Sequence, residues 1–200
     1  MRDINGWVVS FPLTNMRDIN GWVVSLLFQG TLFLYERTIM EKHSFYVIKD
    51  EFFERFNDPY LKGNKEENRP HYYCFNDSTF DLYWVIPMSS RVDKYKRIIE
   101  NKSVQRKPCD ILHICRLSSG KENVFLIQDM FPITQKYILR PYTIGDNTLS
   151  LVKESDIKVV EKKALRIKNL IENGKKFMPC QADVLRIKKE LISELNAEVE

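Results

Sequence analysis

Residues 69–97, RPHYYCFNDSTFDLYWVIPMSSRVDKYKR, carry the reading that decides the fold. Two runs rich in aromatic and β-branched residues, Tyr72–Phe75 and Phe80–Ile86, flank the turn residues Asn76, Asp77 and Ser78. That order predicts a β-hairpin. Trp84, Val85 and Ile86 close the second strand as an apolar run, and Pro87, which has no N–H for a sheet ladder, is expected to end it. Ser89 and Ser90 then emerge at the sheet edge, where side chains meet solvent. A basic helix is predicted over Val92–Asn101, with Ser90 and Asp93 at the spacing of a capping box.

Working outward, Phe45–Ile48 reads as a strand and Asp50–Phe56 as a short helix capped by Asp50. Asn57–Pro70 mixes Asn, Asp, Pro and Gly with Lys62, Lys65 and Arg69, the composition of an exposed connection. Ile111–Leu117 and Asn123–Gln128 surround Ser118, Ser119 and Gly120, which predicts a second hairpin. The period then changes. Ile157, Val160, Ala164, Ile167 and Ile171 fall 3, 4, 3 and 4 apart, one stripe of a helix that stops near Gly174. Val184, Ile187, Leu191 and Leu195 repeat the stripe after Pro179, with Arg186, Lys188 and Lys189 on the opposite face. The sum is an α+β single domain: about five antiparallel strands, flanking helices, and no crossover pattern for a parallel sheet.

Two hundred residues, 44% of them hydrophobic and 12% aromatic, suffice for one packed core. A net charge of +4 is too mild to identify a partner, but its distribution is uneven. Arg91–Lys107 holds seven basic residues against Asp93 and Glu100. Such a concentrated field suits phosphates, although a solvated helix face gives the same pattern. Cys74, Cys109, Cys115 and Cys180 form no C-x-x-C pair or secreted framework, which implies reduced thiols and a cytoplasmic home. His43, His71 and His113 show no ligand spacing, so no metal and no cofactor is expected.

The first forty residues read differently. MRDINGWVVS stands at Met1–Ser10 and again, unchanged, at Met16–Ser25. A period used twice and abandoned is not a stacking repeat; it suggests recent duplication or a start-site artefact. Met40 reads as the alternative start, with residues 1–39 outside the functional domain and 40–200 forming it. Trp22–Tyr35 is a mostly apolar run of 14 residues, shorter than a membrane span and interrupted by Ser25, Gln29, Gly30 and Thr31. A tether through it is the weakest of the readings, and no membrane partner is expected.

The chemistry concentrates where the hairpin meets the basic helix. A helix N-terminus exposes unpaired N–H groups and a positive dipole end, both favourable to phosphate. His71 opens the partner strand, about level with the strand end that delivers Ser89, and is expected to turn its imidazole toward the serines. Two plainer readings stand beside this one: Ser90 as only a helix cap, and His71 as a packed aromatic neighbour.

FYVIKDEFFERF, RPHYYCF, WVIPMSSR and IQDMFPI together resemble the ToxN/AbiQ family of type III toxin–antitoxin endoribonucleases, most closely its CptN-type branch. The likeness runs from Phe45 to about Leu195. It implies a twisted antiparallel sheet with flanking helices, related in shape to the MazF and Kid toxins. It also implies metal-free RNA cleavage, silencing by a repeated pseudoknot RNA that the toxin trims, and a closed ring of toxin and antitoxin RNA. By motif, Ser89 and Ser90 stand where the family has its hydroxyl pair, and His71 where other members carry a basic residue, often lysine. The family's cation after the serine has no clean counterpart, being Arg91 or Lys94. In such cleavage the substrate's own 2′-hydroxyl attacks. Ser90 is then a phosphate-oxygen donor and not a nucleophile, with Arg91 or Lys94 supporting the charge and His71 moving a proton. RNA is expected along Lys94, Lys96, Arg97, Lys62, Lys65 and Arg69, with Tyr72, Tyr95 and Phe131 as stacking candidates. The rival from another class is a non-catalytic RNA-binding regulatory module.

Overall fold

The strand expected to stop at Pro87 continues to Ser89 and forms the axis of the sheet. The computed structural model describes residues 40–61, 63, 64, 68–77 and 79–197. The duplicated decapeptide, the Trp22–Tyr35 run, Lys62 and Lys65 therefore lie outside the described residues. Residues 40–200 make one compact unit.

β1 (Phe45–Ile48), α1 (Asp50–Arg55), β2 (His71–Asp77) and β3 (Leu82–Ser89) open the unit. α2 (Val92–Val104), β4 (His113–Arg116) and β5 (Glu122–Phe125) follow. The short strands β6 (Phe131–Ile133), β7 (Ile138–Pro141), β8 (Thr143–Ile144) and β9 (Asn147–Thr148) lead to α3 (Glu154–Glu172) and α4 (Val184–Ala197). The main sheet has seven strands in the order β4-β5-β3-β2-β1-β7, with β6 also on β3, and every pairing is antiparallel. β8 and β9 pair separately.

One edge of β3 has two partners in succession. Tyr83–Val85 pair with β6, and Met88 and Ser89 pair with Phe125 and Val124 of β5. Between them the Pro87 carbonyl accepts the Leu126 N–H at 3.0 Å. Proline removes a donor but keeps its acceptor, so this residue is tolerated where the ladder changes partner.

The core forms where the stripes meet the sheet. Val160, Ala164, Ile167 and Ile171 of α3 and Val184, Ile187 and Leu191 of α4 are buried with Trp84, Ile86, Phe52 and Phe131. Each buried Val, Ile, Leu or Phe among them contributes roughly 1.5–3 kcal/mol. α3 ends on Gly174 at φ 77°, where the Lys175 N–H reaches the Leu170 carbonyl at 2.9 Å and the Gly174 N–H reaches Ile171 at 2.8 Å. This is the Schellman closure that an αL glycine permits. Asp183 caps α4, its carboxylate accepting the Arg186 N–H at 3.0 Å. Asp50 does not cap α1. Lys49 holds that position and Asp50 lies in the first turn, favourable to the helix dipole.

α2 has no fully buried residue. Val92, Tyr95, Ile98 and Ile99 rest on a separate small cluster of Leu112, Val124 and Leu126. Its other face therefore stays in solvent beside the end of β3.

Candidate RNA-binding cleft

A cleft of about 670 Å³ opens where β3 passes into α2. Arg69, Ser89, Ser90, Arg91, Lys94 and Tyr95 line it, with Met88, Ile98 and Leu126 as apolar floor and Gln128 and Met178 at the far wall. Six of the residues singled out in the sequence are thus brought together.

The local hydrogen bonds explain the turn. Ser89 Oγ accepts the Arg91 N–H at 3.2 Å, and the Ser90 carbonyl accepts the Val92 N–H at 2.9 Å. Arg91, not Ser90, occupies the cap position of α2, and no side chain caps the helix. The capping-box expectation is corrected. Ser90 is exposed, and its hydroxyl makes no hydrogen bond among the described residues. The free hydroxyl of Ser90 therefore stands beside the N-terminal end of α2, the end of a helix that favours an anion.

Two kinds of cation stand around it. Arg91 and Lys94 are exposed, with Lys94 Nζ 5.6 Å from the centre of the Tyr95 ring. Arg69 is half-buried, and its Nη1 is enclosed without a hydrogen-bond partner. Burial draws the Arg69 pKa below its ordinary value, while Tyr95 and Asp129 act in the opposite sense. A guanidinium stripped of water and short of partners gains from a phosphate oxygen. Arg97 is exposed but lines no described cleft, and Lys96 Nζ is held by Glu122 at 3.0 Å.

Three expected residues belong to the interior. His71 is fully buried, pairs in register with Pro87, and packs against Phe131 with ring centres 5.7 Å apart and against Phe53 at 6.0 Å. Neither ring nitrogen has a hydrogen-bond partner. Burial first, and the Arg69 cation second, pull its pKa down to about 3; the nearby Arg69 backbone, outside hydrogen-bond geometry, opposes this only in part. It does not line the cleft around Ser90. Tyr72 is likewise buried, between Phe45 and Phe125, and burial raises its phenol pKa. Phe131 stacks on Phe52 at 5.3 Å. Neither ring is open to a base.

A second cleft, of about 250 Å³, begins on the other side of Ser90. It shares Arg69, Met88 and Ser90 with the first and adds Asn68, Lys121, Asn123 and Tyr142. None of these four carries a local motif; they arrive from three distant segments. No group of three or more His, Cys, Asp or Glu side chains suited to a metal forms among the described residues. No described helix is long and apolar enough to cross a membrane.

No protein-family model matches the chain, and no curated protein does. The chain shares its architecture with a solved endoribonuclease of the type III toxin–antitoxin class. That structure is AbiQ, a lactococcal anti-phage endoribonuclease, at 11% identity and a TM-score of 0.55, covering 78% of this chain and 99% of that one. At this identity the likeness is one of fold.

Proposed function

We propose that this protein is a type III toxin: an endoribonuclease that cuts RNA by 2′-hydroxyl attack and is held in check by a repeated pseudoknot RNA, which it trims. The observation that carries the reading is the cleft around Ser90, a free hydroxyl with Arg69, Arg91 and Lys94 about it, on a fold shared with AbiQ. The substrate 2′-oxygen bonds to phosphorus, the bond to the 5′-oxygen breaks, and a 2′,3′-cyclic phosphate remains. Ser90 and the helix amides hold the non-bridging oxygen whose charge grows, with Arg69, Arg91 or Lys94 beside it. The 2′-hydroxyl gives its proton to water in the open cleft, and the departing 5′-oxygen takes one up from water to leave as a hydroxyl. The antitoxin RNA engages the same face, and toxin and RNA close into a ring in the cytoplasm.

The test is the chemistry of the products. Purified protein should cut RNA in excess chelator and leave 2′,3′-cyclic phosphate ends; a magnesium-dependent 3′-hydroxyl product overturns the mechanism. The burial of His71 favours a second reading, a module that binds RNA without cutting. Under it the wild-type protein binds RNA and releases no products at any metal concentration.

A further inference from the structure

Resting on the reading that RNA is bound in the Ser90 cleft, we infer that Gln128 recognises the ribose, its side-chain oxygen accepting a hydrogen bond from a 2′-hydroxyl of the bound strand. Gln128 and Gln181 are neighbours, each only 6% exposed, and the protein uses them differently. The Gln181 amide belongs to the frame. Its Nε2 donates to the Gln128 carbonyl at 2.8 Å and its Oε1 accepts the Phe177 N–H at 2.7 Å, which fastens the α3–α4 connection to the segment after β5.

The Gln128 side chain makes a single hydrogen bond, from Nε2 to the Met178 thioether at 3.3 Å, and sulfur is a weak acceptor. Its oxygen accepts no hydrogen bond among the described residues and is not one of the enclosed, unpartnered atoms, so it opens on the cleft that this side chain lines. A polar group so deeply set and so little used calls for a ligand. Its position is fixed in advance. The Gln128 N–H rests on the Ile111 carbonyl at 3.2 Å, and its carbonyl is held by Gln181. An acceptor fixed in a largely dry wall loses little freedom on binding and is stronger than one in water.

The chemistry of the lining assigns the sugar. Arg69, Arg91 and Lys94 are donors only, suited to phosphate oxygens and of no use to a hydroxyl hydrogen. Ser89 Oγ already accepts the Arg91 N–H at 3.2 Å. The Gln128 oxygen is an uncharged acceptor in the same cleft. In RNA the 2′-hydroxyl stands on the carbon between the one that bears the phosphate and the one that bears the base. A phosphate held by these cations therefore brings a hydroxyl donor into the cleft whatever the base, and that hydroxyl is what distinguishes RNA from DNA at a site. The amide is too weak a base to take the proton, so Gln128 serves recognition and not proton transfer.

Three uncleavable mixed-sequence pentanucleotides, with methylene in place of each bridging 5′-oxygen and with 2′-hydroxyl, 2′-deoxy or 2′-fluoro sugars, test this by fluorescence anisotropy on the full chain. The hydroxyl probe should bind about fivefold more tightly than the deoxy probe, the effect of one neutral hydrogen bond. The fluoro probe, which cannot donate, should bind like the deoxy probe. Gln128→Met, which keeps the length of the side chain and removes its oxygen, should bring the hydroxyl probe to the deoxy level, while Gln128→Glu, which retains an acceptor, should keep the preference. Equal wild-type binding of the hydroxyl and deoxy probes overturns the inference without recourse to any variant. A fluoro probe that binds like the hydroxyl probe, or a preference that survives Gln128→Met, overturns it equally. A protein that prefers ribose through Gln128 yet cuts no natural RNA keeps this assignment and loses the ribonuclease reading; one that cuts RNA to cyclic phosphate ends and binds the hydroxyl and deoxy probes alike does the reverse.

Discussion

His71 and Ser90 belong to one hairpin and lie in opposite environments. His71 is level with Pro87, enclosed by Phe53 and Phe131, with both ring nitrogens unpartnered. Three residues beyond Pro87, Ser90 stands in solvent among cations. Being level in register is not being in one place. Between the two, the pairing of β3 with β2 ends at Pro87 on one edge and its pairing with β5 begins at Met88 on the other, so the dry aromatic side ends where the open side begins. The first region holds the frame and tolerates an unsatisfied imidazole at a cost of about 1–3 kcal/mol. The second has few internal bonds and keeps its polar groups for a ligand.

Replacing Ser90 sharpens this contrast most. Ser90→Ala should lower the RNA cleavage rate about a hundredfold to a thousandfold, the effect of losing one oxyanion donor. Because Arg91 occupies the cap position, no side-chain cap bond is lost, and the melting temperature should stay near that of the parent. Single-turnover kinetics and a thermal melt on the same preparation measure both. A destabilised variant that still cuts at the normal rate would assign Ser90 to the frame and erase the distinction.

The opposite half of the comparison is read by pH. His71 is neutral in the folded protein, with a pKa of about 3 against an ordinary 6.5, so below pH 6.5 the unfolded chain binds a proton that the folded chain does not. Stability is therefore complete above pH 6.5 and falls as pH decreases, by up to about 1.4 kcal/mol per unit, or tenfold in the folding equilibrium. His43 and His113, also lowered by burial first, act with the same sign. Asp77 and Glu172, whose pKa values are held down by Lys168 and Lys188 against the effect of burial, contribute stability that is lost only at lower pH. Urea unfolding of the parent and of His71→Phe between pH 7 and 5 isolates the imidazole. The variant should show the flatter slope with its pH–rate profile unmoved, and a shifted rate profile would restore His71 to the chemistry.

These two regions also differ in how far the sequence discloses them. The α3 stripe of Val160, Ala164, Ile167 and Ile171 repeats within a few residues, and its stop at Gly174 is a local conformational demand, so both are legible in one dimension. Ser89, Ser90, Arg91 and Lys94 are legible for the same reason: they are nearly consecutive. β6 and β7 carry Pro132 and Pro141 and only three or four residues each, and their strand character comes from pairing with β3 and β1. The depth of His71, Tyr72 and Phe131 depends on α1 and the sheet covering them from afar. Asn123 and Tyr142 reach the second cleft through tertiary packing that no local pattern announces.

A smaller effect separates cations that line the cleft from those that do not. Lys94→Ala should reduce the slope of log affinity against log salt by about 0.7, the value of one contact to single-stranded RNA. Lys96→Ala should change it less, since Glu122 already holds that ammonium at 3.0 Å. Anisotropy titrations at several salt concentrations give both slopes. Equal losses would mean that RNA follows the whole basic face of α2 and that the cleft does not select among its charges.

The smallest expected effect comes from removing residues 1–39. Every described strand and helix, the core, and both clefts fall within 40–200, which is one compact unit. That unit begins with its own attachments: Met40 packs on the core, and Lys42 pairs with Glu161 of α3 at 2.5 Å. The His43 N–H bonds to the Tyr73 carbonyl at 2.9 Å. A chain started at Met40 should therefore unfold within about 0.5 kcal/mol of the full chain, the range of changes that touch no packed feature. It should bind and cut RNA with the same salt slope and rate. Urea unfolding beside a cleavage assay measures this directly. A large loss in either would extend the frame into the duplicated segment and move the boundary between the two regions.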